Sequence, residues 1–387
     1  MAKTRPTVTL FVPAYNAART LPQCLRSISL LSVKPDEVIV ADDGSKDETP
    51  RIARRAGARL VSHPKNRGVA ATRNTAIRAA TGDLIAALDS DLVVPRDWLA
   101  GMLRNFEGRR KIAGCCGRVI EKYTRTIADR WRSVHMKLGF GMRRSYSPRW
   151  LYCGISLIRR DAILEIGLFD ERCRSAYEDV DLSNRLRAAG HTLLYDPTAV
   201  AWHLKQSKPG DVIRGFWSYW AAKNEMQGSY QSLAAAAKLM IERQMGIAAY
   251  RIRQDLRHKR DELLPLDTII PLAFCVRDLD DMVRLGNLTA ELAHGIQMKL
   301  AQCCQAIWDD CLPHRHTPKP PAPECMVRLA FAGGRLPDGQ GVKLVRAARS
   351  YVATFEEAFG DLLVNLPPAA RERISENAPA LIKEARL

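Results

Sequence analysis

Short apolar runs bounded by polar turns recur through the first hundred residues. Val8–Val12, Glu37–Ala41, Arg59–Ser62 and Asp83–Leu88 have the length and apolar content of buried strands. Between them, Thr20–Leu31, Asp47–Ala56 and Val69–Ala80 repeat apolar residues at the spacing of a helix with one buried face. Asp47 and Glu48 at a helix start favour the N-terminal end of the dipole, and Gly82 suits a stop. Alternating strands and helices predict an α/β fold, a Rossmann-like, mostly parallel sheet with helices on both faces. Ligands of such sheets bind beyond the carboxyl ends of the strands, so residues just past distant strands should meet at one edge.

The pattern changes at Ile112. Ile112–Val119 and Leu151–Ile158 read as strands flanking a basic, aromatic-containing helical stretch. Asp181–Ala189 reads as a helix stopped by Gly190, and His191–Tyr195 and Thr198–His203 as two short strands. Lys205–Gly210 is a polar break. The expected organisation is an α/β domain over 1–205, divided into halves at 111/112, then a helical region over 206–312. A proline-rich linker over 313–323 and a C-terminal helical segment over 324–387 follow. Leu233–Lys238 is Ala-rich, Ile247–Leu264 is amphipathic, and no internal repeat is found.

Three strand ends carry polar chemistry: Pro13-Ala14-Tyr15-Asn16, Asp42-Asp43-Gly44-Ser45 and Asp89-Ser90-Asp91. Two aspartates one residue apart suit a hard divalent cation with oxygen ligands. Such a cation can neutralise a departing diphosphate. Alone, the same triplet also reads as a solvated turn. A fourth element, Tyr177-Glu178-Asp179-Val180-Asp181-Leu182, brings an acidic cluster into a helical pattern. Together with Asn66-Arg67-Gly68, Arg73-Asn74 and Gly167-Leu168-Phe169-Asp170-Glu171, this ordered set resembles the glycosyltransferase family 2 enzymes. The resemblance runs from about Val8 to about His203.

That resemblance implies a GT-A fold in which residues 1–111 bind a nucleotide-sugar and 112–205 the acceptor. It sets Pro13, Ala14 and Tyr15 against the nucleobase and gives Asp42 a hydrogen bond from it. Uracil is the expected base, with guanine and thymine open; donor binding is favoured for Asp42 over a helix or turn cap. Arg73 would lie near the phosphates. Asp89, with Ser90 beside it in the donor segment, would face the ribose or the water shell of a metal. Asp91 would be a direct ligand of Mg2+ or Mn2+, and His203 either a third ligand or a core-edge histidine. Asp179 is the expected base of an inverting transfer, removing the acceptor proton as the bond forms. Glu178 would orient the acceptor or the base, while Asp181 suits a helix start as well as a function. Processive synthases of the family carry Gln-x-x-Arg-Trp; after His203 only Arg214-Gly215-Phe216-Trp217 occurs, which favours addition of a single sugar. Glycan, lipid-linked, protein and small-molecule acceptors all remain open.

Bulk properties add boundaries. A chain of 387 residues can bury two cores, and 47% hydrophobic with 26% charged residues is a globular composition. No run reaches the roughly 18 apolar residues that span a bilayer. Met1–Arg5 leads directly into the first strand, so the expectation is a cytoplasmic protein. The net charge of +17 concentrates between Arg104 and Arg149, where only Glu107, Glu121 and Asp129 oppose the basic residues. Such a field draws anions. It suits sugar nucleotides, an anionic membrane face contacted peripherally, or nothing beyond solvent. Tyr123, Trp131, Phe140, Tyr146 and Trp150 interleave with arginines as in single-strand nucleic-acid binders, but the acidic clusters disfavour nucleic acid. A nucleotidyltransferase would need a glycine-rich phosphate loop that Val12–Asn16 lacks, and no GxGxxG follows the first strand. Ten scattered cysteines suit reduced thiols. Cys303, Cys304, Cys311, His314, His316 and Cys325 match no common zinc spacing and read as a helix followed by a linker.

Overall fold

The computed structural model describes residues 5–108 and 111–207, with scattered positions between 211 and 290. The expected linker at 313–323, the segment 324–387 and the Cys303–Cys325 cluster lie outside the described residues, as does most of 206–312. The chain forms two compact units. Met1–Thr124 and Met136–Gln206 make up one, Arg125–His135 and Ser207–Leu387 the other.

The first unit is built on an eight-stranded mixed sheet. Its strands are β1 (Val8–Ala14), β2 (Glu37–Asp42), β3 (Arg59–Ser62), β4 (Leu84–Leu88), β5 (Leu92–Val93), β6 (Ile112–Glu121), β7 (Ile155–Arg159) and β8 (Thr192–His203). They lie in the order β3-β2-β1-β4-β7-β6-β8-β5. The four from β3 to β4 are parallel, β7 runs against both β4 and β6, and β6 and β8 are parallel. β4 is buried at every position and β1 at all but Pro13, which explains why their sequences are apolar apart from Thr9. The helices are α1 (Leu21–Ser29), α2 (Thr49–Arg55), α3 (Val69–Ala79), α4 (Trp98–Arg104), α6 (Arg160–Glu165) and α7 (Glu178–Ala188); α5 (Ile127–His135) belongs to the second unit. α1 buries Leu21, Cys24, Leu25 and Ile28, one stripe of an amphipathic helix.

The expected mixed α/β sheet is present. Several element boundaries differ. The two short strands expected near the end are one, β8, because Asp196 accepts bonds from the Thr198 N–H (3.0 Å) and hydroxyl (2.6 Å) and carries the chain past Pro197. The register against β6 jumps there, from Cys116↔Tyr195 to Arg118↔Val200. The strand expected from Leu151 begins only at Ile155, since the Leu151 N–H is taken by Ser183 Oγ (2.9 Å). α7 starts at Glu178, three residues before Asp181. β5, α4 and α6 were not expected.

α3 fixes the geometry around the strand ends. Its buried face is mostly small, with Ala70, Ala71 and Ala76 against the sheet, which lets the helix approach closely. Its entry at Gly68 has φ +97, and a Cβ there would stand 2.5 Å from the Arg174 carbonyl oxygen, so only glycine fits. Asp43 holds that entry. Its carboxylate accepts from the backbone N–H of Arg67 (2.8 Å) and Gly68 (2.9 Å), and faces His63 Nδ1 at 2.8 Å. Asn74 clamps the turn before α7: its amide donates to the Phe169 carbonyl and accepts from the Phe169 N–H, both at 2.9 Å.

In the second unit, α5 (Ile127–His135) carries the fully buried Trp131, whose Nε1–H donates to Asp267 Oδ1 (2.9 Å). His135 Nε2 faces Asp255 Oδ2 at 2.8 Å, and Arg260 pairs with the same carboxylate at 2.7 Å. Arg251 lies over the Trp131 ring, 4.7 Å from its centroid. Among the described residues no helix is long and apolar enough to cross a membrane.

Asp43→Ala should strand the buried Gly68 N–H, the part-buried Arg67 N–H and His63 Nδ1. We expect a loss of about 3 kcal/mol in urea unfolding, with the m-value unchanged.

Candidate active site

The site forms where β4 ends. The Asp89 N–H donates to the Gly154 carbonyl and the Leu92 N–H to the Asp89 carbonyl, both at 2.9 Å, closing a tight turn over Ser90 and Asp91. The two-residue β5 that follows pairs Leu92 with His203 on β8. The Leu204 N–H then donates to the Asp91 carbonyl at 2.7 Å. The turn is thereby fastened on both sides. Gly154 is required for its compactness, because a Cβ at that position would come within 2.1 Å of Asp89 Oδ2.

Arg73, on α3, is buried and reaches two carboxylates from distant parts of the chain. Its Nη2 stands 3.0 Å from Asp89 Oδ1, and its Nη1 3.3 Å from Glu178 Oε1 at the start of α7. The guanidinium also lies 5.7 Å from the centre of the Phe169 ring. Glu178 and Asp179 open α7, where the helix dipole favours negative charge. The preceding Tyr177 has φ +74, a left-handed residue that turns the chain sharply into the helix. Burial raises the pKa of Asp179 well above the carboxylate range; neighbouring Glu178 adds to this, and Arg73 only partly offsets it. Glu178 is raised by burial too, against the pull of Arg73. The Val180 N–H donates to Asp179 Oδ1 at 2.8 Å.

His203 occupies the other side of Asp91. Its Nε2 is 3.0 Å from Asp91 Oδ2 and its Nδ1 3.0 Å from Glu121 Oε1. A ring with a carboxylate on each nitrogen is an imidazolium donating twice. Burial opposes this charge, but the two carboxylates outweigh it and push the His203 pKa up to about 9. Burial likewise pushes Asp91 up, and His203 more than compensates, holding it below its ordinary value. Asp89 is raised by burial, with Arg73 pulling the other way.

Asp91 and His203 fit a divalent cation. Adjacent donor atoms on an octahedral ion at about 2.1 Å are roughly 3 Å apart, which matches the spacing of Asp91 Oδ2 and His203 Nε2. The ion would take the place of the proton now between them. Asp89 is turned onto Arg73 instead, which suits a role through the water shell.

The remaining sequence-derived residues lie at the ends of β1 and β2. Ala14 pairs with Asp42 across these strands, and Pro13 with Ala41. Asp42 is buried and accepts from the Ser45 N–H at 3.3 Å, while Tyr15 is half-exposed. The Asn16 N–H donates to Ser45 Oγ and Asn16 Oδ1 accepts from the Lys46 N–H, tying the two turns together. Ser90 is half-buried within the Asp89 turn. Asp89, Asp91, His203, Arg73, Glu178 and Asp179 therefore gather around β4, α3, α7 and β8, with the 13–16 and 42–45 turns on neighbouring parallel strands. Asp181 is engaged by Arg185 one helical turn on, at 2.6 Å. Glu121 and Gly154 were not foreseen: each matters through a contact made across the sheet, and neither has a local sequence signal.

Replacing Arg73 with Met should leave Asp89 and Glu178 without their shared countercharge. We expect a loss of about 3 kcal/mol at pH 8. The loss should shrink as pH falls, because protonating the orphaned carboxylates removes the uncompensated charge. Urea unfolding at pH 8 and pH 5 measures both.

Residues 9–167 match the family model described as glycosyl transferase family 2. The pre-mycofactocin glycosyltransferase of Mycobacterium tuberculosis (strain ATCC 25618 / H37Rv) is 32% identical over 217 residues, 53% of this chain and 44% of that protein. The poly-beta-1,6-N-acetyl-D-glucosamine synthase of Staphylococcus aureus (strain COL) is 25% identical over 219 residues, 54% of this chain and 52% of that protein. The chain spans about half the length of these curated relatives. Among solved structures, GalNAc-T7 with UDP, GalNAc and Mn2+ aligns with a TM-score of 0.46 and 15% identity, over 62% of this chain and 51% of that one. With the motifs of residues 9–167 assembled on one sheet edge, the chain carries a glycosyltransferase family 2 domain.

Proposed function

We propose that the protein is an inverting, divalent-metal-dependent glycosyltransferase that moves one sugar from a nucleotide-diphosphate donor, UDP-linked, to an acceptor hydroxyl. The observation that carries this reading is the Arg73 bridge. One buried guanidinium joins the acidic turn after β4 to the acidic start of α7, next to Asp179, which supports a single site for the expected donor side and the expected base.

In this reading, Asp91 and His203 hold Mg2+ or Mn2+, whose charge offsets that of the diphosphate as it leaves. Asp42 and the 13–15 segment bind the nucleobase, and Asp89 with Ser90 lies along the donor. Asp179 takes the acceptor proton. Its burial supports this role, since a carboxylate that is more basic than usual is a better proton acceptor. Glu178 is ion-paired with Arg73 and thereby differs from its neighbour: it stays anchored and orients the acceptor. A basic stretch around the acceptor half supports an anionic or lipid-linked acceptor among the glycan and protein alternatives.

Thermal unfolding with UDP, with and without Mn2+, tests the donor half of this reading. UDP at about 100 times its Kd should raise Tm by about 5–10 °C when Mn2+ is present, and much less without it. No metal-dependent shift with UDP or GDP would end the proposal. Asp179→Asn tests the base. It should lower kcat by about 100-fold or more while leaving UDP affinity within twofold. Activity of the unmodified protein should rise with pH as the Glu178–Asp179 pair loses its proton, and the Asn variant should lose that limb.

A further inference from the structure

Glu121 lies at the end of β6, opposite His203 on β8. The two are direct cross-strand partners in a parallel register, so their side chains share one face of the sheet. On the other flank of His203, Leu92 of β5 is its partner, and β5 begins immediately after Asp91. Three adjacent strands thus set Glu121, His203 and Asp91 in a row. The backbone locks the row, with the Lys122 N–H donating to the His203 carbonyl (3.1 Å) and the Leu204 N–H to the Asp91 carbonyl (2.7 Å).

The side chains follow the same line. Glu121 Oε1 is 3.0 Å from His203 Nδ1, and Asp91 Oδ2 is 3.0 Å from Nε2. Glu121 and His203 are nearly buried, with side-chain exposures of 9% and 11%, whereas the Asp91 side chain is 33% exposed. The open end of the row is therefore the Asp91 end, and Glu121 is its closed end. A histidine that ligates through Nε2 must carry its remaining proton on Nδ1, and an acceptor at Nδ1 fixes that tautomer and the ring angle.

We propose that Glu121 is a positioning residue for a divalent cation held by Asp91 and His203: it takes the Nδ1–H of His203 and so presents Nε2 to the ion beside Asp91. This rests on the metal-dependent reading above and adds a residue to it. Glu121 does not touch the ion. It acts through the ring. The carboxylate also makes the imidazole a stronger donor to the metal.

Mn2+ binding to the full chain, read from the EPR signal of free Mn2+ without nucleotide, tests this. Glu121→Ala should weaken Mn2+ binding by about 10–100-fold. Glu121→Gln, which keeps an acceptor for Nδ1–H but loses the charge, should fall between Ala and the unmodified protein. In a His203→Ala background, Glu121→Ala should weaken binding no further, since the two residues act as one unit. A purely structural glutamate would produce additive losses and lower the metal-free Tm in parallel. If Glu121→Ala does not fold, the Gln variant carries the test, with a loss of threefold or more expected. Mn2+ affinity within twofold of the unmodified protein in the folded variants would overturn the role of Glu121 and leave the transferase reading intact. Failure of the unmodified chain to bind Mn2+ would overturn both.

Discussion

A guanidinium sealed from solvent must be met by anions, and this requirement organises the centre of the first unit. Arg73 finds its partners in Asp89 and Glu178, residues separated by most of the sheet's connectivity. For the charge to reach both, α3 has to lie close on the sheet, and its run of alanines permits that. Its N-terminal entry must be tight, which Gly68 and Asp43 provide. The turn before α7 has to be anchored to the same helix, and Asn74 does this through both backbone groups of Phe169. Each of these features has a local cause, and together they bring a strand end and a helix start to one place.

The same centre holds more negative than positive groups. Asp89, Asp91, Glu178, Asp179 and Glu121 are set against Arg73 and His203, with Lys205 acting on Asp91 from farther off. Burial makes that imbalance expensive, so protons are retained where they would ordinarily be lost: on Asp179, and on His203 near neutral pH. A site of this kind is receptive to a dication. Binding one would release the His203 proton rather than bring in wholly new charge, which links occupancy to pH.

Much of the architecture was legible in the chain. The parallel strands β1 and β4 are buried on both faces and β2 over its last four residues, so their sequences are mostly apolar and easily found. Their polar ends were legible for the same reason, because a carboxylate at the end of a buried run is conspicuous. The antiparallel half was harder. β5 has only two residues and exists because β8 offers it an edge. Pro197 marks a break by composition, yet Asp196 supplies the local bonds that carry the strand through it. Arg73 was recognisable as a site residue, but its engagement with two carboxylates depends on the position of α7. Glu121 was noticed only as one of the few acids in a basic stretch. Its meaning comes from register with a strand eighty residues later, which no local pattern encodes.

The division of the chain into units is not a division of the sequence. Arg125–His135 leaves the first unit and returns to it, and in between it supplies α5 to the second. Trp131 and His135 on that helix have their polar partners at Asp267 and Asp255. A polypeptide ended at Gln206 would keep α5 while losing Asp255 and Asp267. It would leave the Trp131 indole N–H and the His135 ring without these carboxylates in the middle of the retained sequence. Any shortened form of the protein meant to stand alone would need that loop redesigned as well as its end trimmed.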